Sequence, residues 1–365
     1  MRDSVAERVL ATVMEWDAAE VAKYGGTLQL LAAHKYDSYE GYRPGVKFLE
    51  NLSGWLYQFE SIDARRTAIR FVLENLIFIS RAELDHLIET VYPDHIRPML
   101  IEHAATELGV SRFAISTIVN SPEFERIQRR TLVLGLSDGA HIDQLRRASP
   151  PLSHEQIFLA MDIGNDTIRK AMRKLREATG NNDECFERVL LVDDFYGSGK
   201  TLLREEEDGF DGRLWRTHER LDALAEGLTE PGGGSPFAVL SPGFKVSTLV
   251  YVASSQALDH VKEMLPKAGL DWDFRVVQPL PDSVRVTDDE MAGLCGWHYD
   301  PVLTDEHKKK DTPMGYSDCA LPLVLQHNTP NNSICVLWAD STDRPASLGR
   351  RALFPRYERH REDRK

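Results

Sequence analysis

Val189–Thr201 reads VLLVDDFYGSGKT. The four apolar residues Val189 to Val192 make a short strand of the kind buried in the middle of a parallel sheet. Asp193 and Asp194 follow at its carboxyl end, where two adjacent carboxylates are costly unless something binds them. Tyr196, Gly197, Ser198, Gly199, Lys200 and Thr201 come next. Glycines let successive backbone N–H groups turn inward around an anion, and a helix expected from about Leu202 adds its N-terminal dipole. Acceptors for sugar hydroxyls therefore stand beside donors for a phosphate. Ribose 5-phosphate needs that combination.

Gly199-Lys200-Thr201 also matches the end of a nucleoside-triphosphate P-loop. That motif requires a glycine five positions before its second glycine. The position is Asp194 here, and a carboxylate there would meet phosphate oxygens head on.

Working outward, Thr131–Leu136 (TLVLGL) is a β-prone run that ends in the turn Ser137-Asp138-Gly139, with a helix expected through Ala148. A strand is expected within Ser153–Ala160, and a basic amphipathic helix over Asn165–Ala178. After the acidic stretch Glu205–Gly212, a helix is expected from Trp215 to Leu228, then a glycine-rich linker, Pro231–Pro236. Ser247–Ala253 and Ser255–Ala268 make a strand–helix unit. Phe274–Gln278, Leu321–Leu325 and Ile334–Trp338 supply three more strand candidates. Strands alternating with helices predict an α/β domain with a mainly parallel sheet, whose ligands bind at the carboxyl ends of strands. Two loops fall there, Leu136–His141 and Asp193–Thr201.

Residues 1–125 read as almost wholly helical, with apolar residues at three-to-four spacing over Ser4–Val21 and Ile62–Ile79. Gly25-Gly26, the turn at Tyr42–Gly45 and Pro93 are the expected breakers. The expected division is a helical domain over 1–125, an α/β domain over 126–340 and an Arg-rich tail over 341–365, read as solvated.

The chain has 365 residues, 42% hydrophobic, and a formal net charge of −13, which argues against a broad nucleic-acid or anionic-membrane surface. No run approaches the length needed to span a membrane, and MRDSVAERVL lacks a signal-type apolar stretch, so a cytoplasmic protein is expected. Cys185, Cys295, Cys319 and Cys335 are widely spaced, which speaks against a zinc site or a disulfide framework.

The loop resembles the phosphoribosyl pyrophosphate signature of type I phosphoribosyltransferases: four apolar residues, two acids, three variable positions, Ser/Thr-Gly, one variable position, Thr. The resemblance implies a parallel-sheet phosphoribosyltransferase core over residues 130–340. It implies that Asp193 and Asp194 contact the ribose hydroxyls and that Tyr196–Thr201 hold the 5′-phosphate. Ser137, Asp138 and Gly139 would take the pyrophosphate, with magnesium carried mainly by the ligand. A narrower set, GLSDGAHIDQLRR, VDDFYGSGKT and HNTPNNSICVLW, is similar to a phosphoribosyltransferase-like group of bacterial conflict (antiphage defence) loci, which carry a helical region before the core. That likeness implies a defence role and a protein partner from the same system.

The family reaction places a nitrogen nucleophile on C1 of the ribose as pyrophosphate leaves, so positioning and charge placement do most of the work. Arg146, Arg147, Lys170, Arg173 and Lys174 are candidate cations against pyrophosphate. His141, His298 and His327 are unplaced candidates for a general base. Asn328, Asn331 and Asn332 could read a base or merely cap a turn. No segment is identifiable as a hood for a particular base, so a domain that binds the ligand without turnover stays open beside the enzyme. A third reading rests on Ala104–Val119, which resembles a helix-turn-helix with Gly109 at its turn. Its second helix offers one basic residue, Arg112, with Ser111, Ser116 and Thr117, and phosphate binding ordinarily needs more. Arg350, Arg351, Arg356, Arg359, Arg361 and Arg364 of the tail could meet nucleic acid or an acidic partner.

Overall fold

A computed structural model describes residues 3–160, 164–229, 236–299, 312–340 and 349–356. Helices α1 (Asp3–Met14), α2 (Ala18–His34), α3 (Phe48–Tyr57) and α4 (Ile62–Glu74) lead to a short strand, β1 (Ile77–Ile79). Helices α5 (Arg81–Thr90), α6 (Arg97–Leu108), α7 (Ile115–Val119) and α8 (Pro122–Arg129) follow. Strands and helices then alternate: β2 (Thr131–Gly135), α9 (Ile142–Ala148), β3 (Ile157–Leu159), α10 (Asn165–Thr179) and β4 (Phe186–Tyr196). A hairpin of β5 (Arg204–Glu206) and β6 (Gly209–Asp211) precedes α11 (Arg213–Glu226), β7 (Leu240–Ser254), α12 (Ser255–Lys267) and β8 (Asp273–Leu280). The last elements are α13 (Asp289–His298), β9 (Leu323–Leu325) and α14 (Cys335–Trp338).

The chain divides into two compact units, Leu84–Leu280 and a second made of Met1–Glu83 with Pro281–Lys365. The helices of 1–125 are therefore shared: α1 to α4 pack with the C-terminal residues, and α6 to α8 belong with the sheet. The 300–311, 341–348 and 357–365 stretches, which include Arg359, Arg361 and Arg364, lie outside the described residues, as does most of the Pro231–Pro236 linker.

Leu84–Leu280 is built on a five-stranded parallel sheet in the order β3-β2-β4-β7-β8. Thr131–Gly135 of β2 and Val189–Val192 of β4 are buried throughout and almost wholly apolar, as a sheet covered on both faces requires. Helix α10 lays Ile168, Ala171, Met172 and Leu175 into the core and turns Lys170, Arg173 and Lys174 to solvent. The sheet ends at Leu280. The expected strand at Leu321–Leu325 does exist as β9, but it pairs in parallel with β1 in the other unit. Ile334–Trp338, expected as a strand, is instead the short helix α14, with Cys335, Val336, Leu337 and Trp338 all buried. An apolar run buried on every side carries no periodicity that separates helix from strand.

In the other unit, α1 ends at Met14, and Asp17 caps α2 through a capping box with Glu20. Gly25 and Gly26 do not break the chain as expected; they lie inside α2. A Cβ on Gly25 would sit 2.4 Å from Glu7 Oε1 on α1, so this glycine lets the two helices approach. Pro93 likewise lies within a helical stretch, Val91–Ile96, wound in wider π turns between α5 and α6. The tail is not simply solvated: Phe354 is fully buried against Tyr36, Phe48 and Phe78.

Candidate functional site

The chain leaves β2 for β3 on one side and returns to β4 on the other. Strand order reverses between β2 and β4, and such switch points open a crevice at the carboxyl ends of the strands. The Leu136 N–H donates to the Val192 carbonyl at 2.9 Å, so the loops after the two strands start side by side. Ser137 Oγ then donates to Asp193 Oδ1 at 2.5 Å and accepts from the Gly139 N–H at 3.1 Å. Two loops singled out from sequence are thus joined by one side-chain bond. The Asp138 side chain is exposed beside it.

Asp193 is fully buried. Its Oδ2 accepts from the Tyr196 hydroxyl and, at 2.6 Å, from Arg213 Nη1, which also reaches the Tyr196 oxygen at 2.9 Å. A buried carboxylate is sustained only by such partners. Burial, and then the neighbouring charge of Asp194, push its pKa up to about 6 against the opposing pull of Arg213, Ser137 and Tyr196. Burial raises the Tyr196 hydroxyl well above its ordinary value, and the Asp193 charge adds to this. Burial works against the Arg213 charge, yet Tyr196 and Asp193 outweigh it and hold the guanidinium above its usual value. Tyr251 on β7 is raised by burial and then by the two aspartates; its hydroxyl donates to the Ala140 carbonyl at 2.8 Å.

Asp194 differs. It is half-buried and reaches toward the first loop, where a Cβ on Gly139 would lie 2.5 Å from its Oδ2. Glycine at 139 is what lets that carboxylate lie against the neighbouring loop.

The loop after β4 does not run into a helix at Leu202 as expected. It turns tightly, with the Leu202 and Leu203 N–H groups donating to the Gly199 carbonyl at 2.9 and 3.2 Å, and passes into the β5–β6 hairpin. The acidic run Glu205–Asp208 occupies the exposed end of that hairpin, and Gly212, at φ +123, admits the chain to α11 where a Cβ would strike the Leu202 carbonyl. The first amides of α11 are spent on the loop: Arg213 N donates to Thr201 O at 3.1 Å and Leu214 N to Leu202 O at 2.9 Å. Ser254 caps α12, accepting from Ala257 N at 3.0 Å, and its hydroxyl donates to the Gly197 carbonyl. His260 on α12 bonds the Leu203 carbonyl at 2.8 Å. Gly199, at φ +74, fits against α12 where a Cβ would crowd His260 and the Ala257 carbonyl. Ser198 is buried, Lys200 half-buried and Thr201 exposed.

Arg146 is bonded to Asp143 and to the Ile157 carbonyl, Arg147 to Gln144, and Lys174 to Glu177. His298 and His327 belong to the other unit; His298 is buried, its Nε2 donates to the Ala339 carbonyl at 2.8 Å, and burial drives its pKa down to about 4. His141 holds the left-handed position that starts α9. Asn331 and Asn332 also belong to the other unit; their carbonyls accept from the Tyr316 and Leu321 N–H groups, and Asn332 Nδ2 donates to the Tyr316 carbonyl at 3.3 Å. Arg213, brought to the acids from twenty positions along, went unmarked in the sequence. Its one signal is Gly212 before a helix that starts close to the loop.

The second helix of the supposed helix-turn-helix, α7, has five residues, about 7.5 Å of rise. Gly109 does form the left-handed turn after α6, and Arg112 stacks over the exposed Phe113 at 5.0 Å. His103, Glu107 and Glu187 offer ligand atoms within 4.8 Å of one another. Arg126 and Arg130 already hold those two carboxylates at 2.6 and 2.7 Å, which disfavours a cation there. Among the described residues no helix is long and apolar enough to cross a membrane.

The family model PRTase-CE matches residues 52–356. The chain belongs to the PRTase-CE family. It is a phosphoribosyltransferase-like protein, and the match covers both loops of the β2–β4 crevice as well as residues of both compact units. Comparison with curated proteins and with solved structures returned no match.

Proposed function

We propose that the crevice between the ends of β2 and β4 binds phosphoribosyl pyrophosphate, or a related ribose-phosphate nucleotide, with magnesium, and that the protein transfers the ribosyl group. One observation carries the reading: Ser137 on the first loop and Asp193 on the second are bonded at the switch point. That bond brings the expected pyrophosphate loop beside the expected ribose-phosphate loop. Asp194, half-buried next to Gly139, is the carboxylate suited to the ribose hydroxyls and to a magnesium ion carried by the ligand. Asp193 has its oxygens committed to protein donors and does not suit a metal. When bound, the ion would neutralise pyrophosphate as it leaves. The chain's own part is to orient the ribose and to set negative charge near a cationic sugar.

A second reading, a non-catalytic sensor of the same ligand, is favoured by the locked state of Asp193. Mass spectrometry of a nucleotide pool incubated with the purified protein separates the two. A ribosylated product with release of pyrophosphate is expected for the enzyme; tight binding with an unchanged pool would leave the sensor. The likeness of the three motifs to antiphage-defence proteins supports a place in such a system, with a protein partner from it.

A further inference from the structure

We infer that Arg213 is the cation that meets the 5′-phosphate of the ribose-phosphate ligand, and that Asp193 acts through Arg213 rather than on the ribose. The inference deepens the function proposed above and rests on it. A phosphate held at the end of a parallel strand is ordinarily met by the N-terminal amides of the following helix. Here that helix is displaced by the β5–β6 hairpin, and when α11 does begin, its first two amides are bonded to the Thr201 and Leu202 carbonyls. The Ala257 amide at the start of α12 is satisfied by Ser254. Neither helix has a spare first amide for a phosphate, so beyond the loop's own N–H groups positive charge must come from side chains.

Arg213 has the geometry for that. Its backbone is bonded to Thr201 of the loop, and its side chain is 32% exposed. Nη1 is fixed on Asp193 and Tyr196. A guanidinium carries five N–H donors, and its remaining ones meet no other acceptor among the described residues. Asp193, 0% exposed with both oxygens engaged, cannot reach a ribose without leaving these partners. Its position instead fixes one edge of the guanidinium and leaves the other to a ligand. Lys200, in the loop itself, has no ion-pair partner among the described residues. It is a flexible point charge, whereas an anchored guanidinium presents a planar fork that matches phosphate.

Isothermal calorimetry with three probes tests this: ribose 5-phosphate, phosphoribosyl pyrophosphate with magnesium, and inorganic pyrophosphate with magnesium. Arg213→Gln is expected to weaken the first two by about 10- to 100-fold, the range of a charged hydrogen bond, and to leave pyrophosphate unchanged. Arg213→Lys recovers part of the loss. Asp193→Asn weakens the same two ligands by less. The double variant Asp193→Asn/Arg213→Gln binds no worse than Arg213→Gln alone, because both act through one contact. The double variant also removes the buried charge that Arg213→Gln would strand, so a folding defect in the single variant does not close the test. Wild-type affinity in a folded double variant, multiplicative losses, or an equal loss for pyrophosphate would each overturn the inference. A larger loss with Lys200→Gln than with Arg213→Gln would also overturn it. Wild-type protein that binds none of the probes would overturn the proposed function itself.

Discussion

Successive side chains of an extended strand point to opposite sides, so Asp193 and Asp194 cannot share one environment. Asp193 takes the buried side, with Ser137, Tyr196 and Arg213; Asp194 takes the side facing Gly139. The acid pair and the glycines are legible in the sequence because their chemistry is local to thirteen residues. The unequal burial of the two acids is not, since it depends on Arg213 arriving from beyond a hairpin. That burial has a measurable sign. Asp193 has a folded pKa near 6, above its ordinary 3.8. Its contribution to stability is full below pH 4 and is lost as pH rises through 6. Asp193→Asn removes this dependence. Relative to wild type, the variant is expected to gain about 2 kcal/mol of stability between pH 4.5 and 7.5 in urea unfolding. A difference that stays flat with pH would show that the carboxylate is not so perturbed.

At the scale of elements, the strands on either side of the crevice were foreseeable from apolar runs bounded by turns, and α10, α11 and α12 from amphipathic spacing. The helix expected at Leu202 was not formed because Arg204–Asp211 alternates poorly with a helical period and holds four consecutive acids. Glu207-Asp208 turns the hairpin, and Gly209 follows at φ +138. An Asp-Gly dipeptide at that point is a hairpin signal, and it was available in the sequence. The loop that results is held from outside, by α12. Ser254→Ala removes both the cap of α12 and the donor to the Gly197 carbonyl. A loss of about 1–2 kcal/mol is expected in chemical denaturation, with weaker ligand binding alongside. Unchanged stability would mean that the hydroxyl does not anchor the loop.

Over the whole molecule, the sequence led to an α/β core running to about residue 340, and the sheet stops at Leu280. Periodicity reports what a segment is, not which distant segment it meets. Nothing local pairs Ile77–Ile79 with Leu323–Leu325, or buries Phe354 among rings contributed by residues 36 to 78. The second unit thus depends on both ends of the chain. Phe354→Ala is expected to cost about 3–5 kcal/mol, as for other fully buried aromatic side chains, and differential scanning calorimetry would register it. A cost under about 1 kcal/mol would contradict the placement of this residue in the core.

The crevice itself is tested most directly by calorimetric titration of the full chain with phosphoribosyl pyrophosphate and magnesium, beside Asp194→Asn and Gly139→Ala. The methyl group that Gly139→Ala adds would press against the Asp194 carboxylate, so both variants disturb the same contact from opposite loops. The expected result is saturable binding by the wild type at one site per chain, weakened at least about 10-fold in either variant while both remain folded. A folded wild type that does not bind, or variants that bind as the wild type does, would contradict a ribose-phosphate site between β2 and β4.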